Sequence, residues 1–269
     1  MNKIILAFIL TLSFSIAKAQ DERVRAHSVA IGAGWANLLD TYLSPFDYKG
    51  GNTRITWTTE RQVNTFGVKD LEFNTILNAD ISFIQNPAKN VDEYAGGVRF
   101  SLAWLKKVAM FKPGNTTIDL SVGPMISGYL GALYNERNGN NPAQAKADVM
   151  IDIAAKARWK FNCFKRNMAL QYLIAIPLAG VAFSPAFGQS YYEAFRLGYY
   201  DHNIVFANTA NMTSARHAIY IDCPVGKLSK TSVRLGYEGV FMQAKFNDIR
   251  YHSYVNSIMI GITKLFKQL

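Results

Sequence analysis

The chain has 269 residues, a net charge of +10 and a mean hydropathy of +0.01. Beyond residue 20 it holds no apolar run of the ~18 residues that a spanning helix requires, which excludes a helical membrane protein. Cys163 and Cys223 are too few for a disulfide framework, and no His or Cys stands at metal-ligand spacing, so neither a metal nor another cofactor is expected.

The first residues, MNKIILAFILTLSFSIAKAQ, have the three parts of a secretion signal: Lys3, a mostly apolar stretch over 4–16, and the small-residue site Ala17-Lys18-Ala19. Residues 1–19 are expected to be removed, leaving 20–269 as one domain. No Cys follows the site, so a lipid anchor is not expected. The oxidising compartment beyond the inner membrane permits a Cys163–Cys223 bond without requiring one.

From residue 28 the chain alternates. Side chains on a strand point to opposite faces every second residue, so alternation marks a strand with one apolar face. Residues 28–36 put Val29, Ile31 and Trp35 together, and 53–61 set Ile55 and Trp57 against Arg54 and Glu60. Residues 71–83 set Phe73, Leu77, Ile81 and Phe83 against Glu72, Asn74 and Asp80. Residues 94–104 align Tyr94, Val98, Phe100 and Trp104 opposite Arg99, and 117–133 oppose Ile118, Leu120 and Ile126 to Asp119.

The clearest segment is 148–161. Its odd positions run Val149, Ile151, Ile153, Ala155, Ala157, Trp159, Phe161, and its even positions run Asp148, Met150, Asp152, Ala154, Lys156, Arg158, Lys160. Strands follow at 168–178, 202–209 (weaker), 215–223 with Arg216 and Asp222, 231–245 with Arg234 and Glu238, and 251–266. Turn-rich separators lie between them, such as Lys112-Pro113-Gly114-Asn115. Pro124 and Pro177 interrupt two strands and imply local bulges or kinks.

Eleven segments read as strands, and single-chain bacterial barrels carry an even number. The fold expected is an all-β, antiparallel transmembrane barrel of about twelve strands, with ten as the alternative. The twelfth would lie at 187–199, where Tyr191, Phe195, Leu197 and Tyr199 share a parity. A soluble lipocalin-like barrel or sandwich also alternates, with its apolar face inward. Here the apolar face carries almost no charge. Tyr94 and Trp104, like Phe73 and Phe83, stand ten residues apart. At about 3.3 Å per residue and a tilt near 40°, that spacing spans roughly the 25 Å band between aromatic girdles.

The lumen-lining set is then Arg54, Glu60, Glu72, Asp80, Arg99, Asp119, Asp148, Asp152, Lys156, Arg158, Arg216, Asp222, Arg234 and Glu238. Both signs are mixed, which reads as a cross-linked, mostly closed interior, with a narrow polar path as the alternative. The positive excess falls on turns at one end: Lys106, Lys107 and Lys112; Lys165 and Arg166; Lys227 and Lys230; and Lys264 and Lys267. Such a basic rim suits anionic headgroups of the inner leaflet or a periplasmic partner. A pI near 9.5 does not make nucleic acid a partner in that compartment.

Two stretches stand out for chemistry. His217, with Thr213 and Ser214 nearby, is a weak catalytic candidate for a lipid hydrolase; as the bland reading it is an interfacial histidine. Phe187, Gln189, Tyr191, Tyr192 and Glu193 lie in a stretch more aromatic than a solvated loop needs, suited to plugging the bore or to binding a glycan, small solute or protein.

The signal sequence, DTYLSPFDYKG (40–50), SPAFGQSYYEAF (184–195) and the strands together resemble a family of uncharacterised outer-membrane barrels of the Bacteroidota. The last strand, 251–266, is similar to the terminal recognition signal of bacterial outer-membrane barrels, although Lys267-Gln268-Leu269 stand where a final aromatic is usual. The resemblance implies outer-membrane location, with lipids and lipopolysaccharide around the barrel and the barrel-assembly machinery as partner during insertion. It implies no activity. A narrow channel or structural module is the first functional reading; a lipid-modifying hydrolase and a periplasm-facing assembly partner are the alternatives.

Overall fold

The computed structural model describes residues 24–139, 141–225 and 230–267. The expected signal peptide (1–19) and Lys227 lie outside the described residues. Eleven strands follow in order: β1 (Val24–Asp40), β2 (Tyr48–Thr65), β3 (Val68–Gln85), β4 (Asp92–Phe111), β5 (Thr117–Asn135), β6 (Ala143–Cys163), β7 (Arg166–Phe183), β8 (Ile204–Asn208), β9 (Met212–Val225), β10 (Thr231–Phe246) and β11 (Ile249–Lys267).

Every neighbouring pair is antiparallel, and β1 pairs with both β2 and β11, so the sheet closes on itself. The result is a closed ten-strand barrel with one extra strand segment, the alternative read from the sequence, and the first expectation of twelve is corrected. Two sequence signals misled the count. The stretch 187–199 is a loop with one π-helical turn at Tyr192–Arg196, not a strand. And β8 and β9 share one place in the wall. Both pair with β7, β8 from Ala179↔Asn208 to Phe183↔Ile204 and β9 from Ala169↔Asp222 to Ala175↔Arg216. The chain between Asn208 and Arg216 is four residues longer than the ladder needs. The surplus turns at 209–211, where Asn208 Oδ1 accepts from Ala210 N (2.8 Å) and Asn211 Oδ1 from Asn208 N (2.8 Å).

The interruption sits beside Pro177, which has no N–H for the ladder. Opposite β6 the register there jumps from Ile151↔Ala179 to Asp152↔Pro177, leaving Leu178 bulged. Beyond the bulge the inward face of β7 passes from odd residues such as Ala175 to even ones such as Ala182. Pro124 leaves a gap in the β4–β5 ladder, and the bulge on that pair lies at Val108, between Lys107 and Ala109.

The end of the barrel carrying Val24 and Lys267 has tight connections. Phe66-Gly67 and Phe164-Lys165 are two-residue turns with φ of 53° and 70°, and of 51° and 57°. These mirror-image turns match the strand twist. The opposite end carries the longer connections 41–47, 86–91, 136–142 and 184–203. Outward residues are apolar and exposed: Ile31 and Trp35 on β1, Ile55 and Trp57 on β2, Val149 and Ile151 on β6, Ile260 and Ile262 on β11. Two aromatic pairs mark two heights on β3 and β4, Phe73 with Trp104 (5.2 Å) and Phe83 with Tyr94 (5.7 Å). No helix among the described residues is long and apolar enough to cross a membrane. Neither cysteine is bonded to another.

Candidate functional site

The interior is filled in layers. Nearest the short-turn end, Lys156 of β6 reaches across the bore to two carboxylates. Its Nζ lies 2.8 Å from Glu60 Oε1 on β2 and 2.6 Å from Glu72 Oε1 on β3. Arg158 pairs with the same two acids, at 3.3 Å to Glu72 and in direct contact with Glu60. Arg234 clasps Asp222 with two bonds of 2.7 Å, and Asp222 also accepts from Gln171 (2.9 Å) and Thr263 (2.9 Å). Asp119 lies at the edge, bridged by Lys107 (3.1 Å) and Lys160 (3.4 Å). Charges withdrawn from water are costly unless each finds a partner and hydrogen bonds, and these find both.

A second layer lies further in. Arg99 holds Asp148 with bonds of 2.9 and 3.0 Å and stacks over the Tyr129 ring (4.8 Å). Arg216 contacts Asp152 at 2.5 Å. Arg54 lies between Asp80 and Glu238, 3.5 Å from each. Glu238 is further bonded by Thr56 (3.0 Å) and Tyr220 (2.5 Å). Thus all fourteen lumen candidates point inward or to the lumen edge, and the two layers join strands that are not neighbours in the wall. Tyr129, Tyr220, Gln171 and Thr56 complete the layers without having been singled out from the sequence.

Above these layers apolar side chains gather beside the buried Asp40–Lys146 pair (2.6 Å) and Glu93. Leu38, Tyr48, Ile84, Leu133 and Val255 form one buried cluster, and Met150, Ala182, Ala207, Met212 and Met242 another. Met150, a large apolar residue on the mostly charged even face of its strand, was the sequence signal for this. A cavity of about 180 Å³ runs along the lumen beside both charged layers and up to these clusters.

The loop 184–203 folds over the long-loop end. Ser190 and Glu193 form a capping box: Ser190 Oγ accepts from Glu193 N (3.1 Å), and Glu193 Oε2 accepts from Ser190 N (2.7 Å). These donors hold the Glu193 carboxyl below its ordinary range. Tyr191 donates to Gln144 Oε1 (2.7 Å) and accepts from Ala145 N (2.6 Å). Burial pushes its phenol up to about 12, so the hydroxyl stays a donor. The Gln189 side chain accepts from Ala186 N (3.0 Å) and donates to Tyr199 O. Phe187 and Tyr192 remain exposed. Only Tyr191 of the five loop candidates is anchored to the barrel by its side chain, and none of the five lines the lumen cavity.

On the outer wall His217 lies between the rings of Tyr172 (6.3 Å) and Tyr237 (5.6 Å). Ser214 is buried on the inward face of the same strand. Three residues apart on a strand is an odd separation, so the two side chains point to opposite faces and form no nucleophile–base pair. Thr213 is spent on Thr209 O (3.3 Å). His217 therefore forms no nucleophile–base pair with Ser214 or Thr213, as the alternative hydrolase reading would need, and its place between two tyrosine rings fits an interfacial histidine.

The basic residues Lys106, Lys107, Lys112, Lys165, Arg166 and Lys230 all lie at the short-turn end and are exposed. Several are engaged locally: Lys106 donates to Lys69 O (2.7 Å), Arg166 to Pro224 O, and Lys107 to Asp119. Lys112 and Lys165 remain on open turns.

No curated protein matches the chain. Among solved structures it is similar to the outer membrane protease OmpT from Escherichia coli, at 8% identity and a TM-score of 0.48 over 94% of this chain and 100% of that one. It is also similar to the transport unit of the autotransporter AIDA-I from Escherichia coli (8%, TM-score 0.43, 98% and 97%). A third is the translocator domain of the autotransporter NalP from Neisseria meningitidis (9%, TM-score 0.37, 98% and 96%). Each likeness is remote in sequence and superposition, and nothing about the lumen's chemistry follows from it. The family comparison is direct: the model of a family described as "Protein of unknown function (DUF3316)" matches residues 4–269, and the chain belongs to that family.

Proposed function

We propose that this protein is an outer-membrane barrel whose bore is shut by its own ion pairs, acting as a membrane-embedded structural or binding module and not as an open pore. Membrane residence is supported by the apolar, exposed exterior and the aromatic pairs at two heights. The observation that carries closure is Lys156 held between Glu60 and Glu72 across the lumen, with Arg158 bound to both acids. A secretion signal removed after Ala19 and a source in the Bacteroidota complete the reading, as do lipid and lipopolysaccharide contacts and delivery by the barrel-assembly machinery. Lys112 and Lys165 face the periplasmic headgroups in this orientation, where each basic residue contributes about 1 kcal/mol of attraction to an anionic surface.

The test is liposome swelling. Vesicles carrying the refolded chain 20–269 should exclude small sugars as protein-free vesicles do. Swelling at the rate of an open porin would refute the closed bore.

A further inference from the structure

We infer that the lumen cavity beside the charged layers binds a small, uncharged, mostly apolar molecule that carries one hydrogen-bond-accepting oxygen. The inference goes beyond the closed bore: the cavity runs from Lys156 and Arg234 into the upper lumen, and a guest there is read by its binding heat and not by sugar flux.

Size comes first. A cavity of about 180 Å³ is a little larger than the roughly 150 Å³ that accommodates a single benzene ring. Its upper wall is apolar, with Ala182, Met212, Met242, Phe246 and Val255 among the lining residues. Unbranched methionines adapt to an irregular apolar guest. Water gains little against such a wall, whereas an apolar ring buries its surface there.

The floor supplies the polar requirement. Arg54 and Arg216 both line the cavity, and Arg54 Nε and Arg216 Nη1 are buried without an acceptor. A buried N–H left unpaired is costly, so an oxygen delivered there by a ligand recovers what the fold leaves unsatisfied. The charge balance chooses between a neutral oxygen and a carboxylate. Arg54, Arg99 and Arg216 face Asp80, Asp148, Asp152 and Glu238, so acids already exceed bases by one in this layer. The other cations on the lining are also neutralised: Lys146 by Asp40 at 2.6 Å, Lys156 by Glu60 and Glu72 at 2.8 and 2.6 Å, and Arg234 by Asp222 at 2.7 Å. An incoming carboxylate would add to the excess; a ketone, ether or hydroxyl oxygen would not.

The experiment is calorimetric titration of the refolded chain with acetophenone, its oxygen-free isostere ethylbenzene, and benzoate. Acetophenone should saturate a single site, and both other probes should bind about tenfold or more weakly, the discrimination expected when a buried polar group is left unpaired or a charge is mismatched. The filling variants Met242→Trp and Ala182→Leu should weaken acetophenone by a similar factor while keeping the heat-shifted gel mobility of a folded barrel. Equal uptake by wild type and filled variants would show partition into the detergent and overturn the site. Benzoate or ethylbenzene binding as tightly as acetophenone would overturn the assigned chemistry. The wild-type ranking stands without either variant, should the substitutions prevent folding. Sugar-driven swelling of vesicles bearing the same protein would refute closure while leaving the acetophenone result to stand or fall separately.

Discussion

Replacing Lys156 with methionine removes the ammonium that joins two carboxylates and leaves a side chain of similar length. Its contacts at 2.8 and 2.6 Å each carry roughly 6 kcal/mol of Coulomb attraction at an effective dielectric of about 20. Most of that is offset by the cost of withdrawing the ammonium and both acids from water. Arg158 remains beside Glu60 and Glu72, so the carboxylates are not abandoned. The expected loss is therefore about 3 kcal/mol, at the low end of the range for breaking a buried pair. Urea titration of the refolded chain in micelles, followed by tryptophan fluorescence and gel mobility, measures it. Adding Glu72→Gln removes the surplus negative charge and should restore about half of the loss, because residues in one ionic network do not add. An unchanged urea midpoint for Lys156→Met would refute the view that this layer holds the lumen together.

Other consequences are as direct. A Cβ on Gly34 would meet the Asn256 carbonyl oxygen at 1.8 Å, so Gly34→Ala should destabilise the β1–β11 seam by about 1–3 kcal/mol in the same urea titration. Tyr191→Phe deletes the bonds to Gln144 and Ala145 and should loosen the 184–203 loop by about 1 kcal/mol, read as faster proteolytic nicking with the barrel intact. Glu193 is held below its ordinary value of 4.5 by Ser190. A group with a depressed folded value contributes order above its unfolded value and loses it as pH falls through the folded one. Nicking of the loop should therefore be flat at neutral pH and rise in acid below about 4.5, and Glu193→Gln should abolish that dependence.

Alternation made the strands legible because one wall face meets an apolar medium and the other the lumen. It faded at the strand ends. β6 extends to Ala143, five residues before the alternating run begins, since beyond the aromatic heights neither face is held to one polarity. The strand count failed where local chemistry imitates the pattern: aromatics of one parity at 187–199 belong to a turn fixed by the Ser190–Glu193 box, and four surplus residues near 209–211 make one stave look like two. Inward charges were readable from parity, but their partners were not, because Glu60 and Lys156 meet across the bore and not along a ladder. The apolar upper lumen was foreshadowed by Met150 alone.

The most direct test of the closed lumen is single-channel recording of the refolded chain 20–269 in a planar bilayer, with insertion verified by gel mobility. The layers of Lys156, Arg158 and Arg234 with their acids predict no steady conductance. Stable steps in well-inserted wild-type protein would contradict the account.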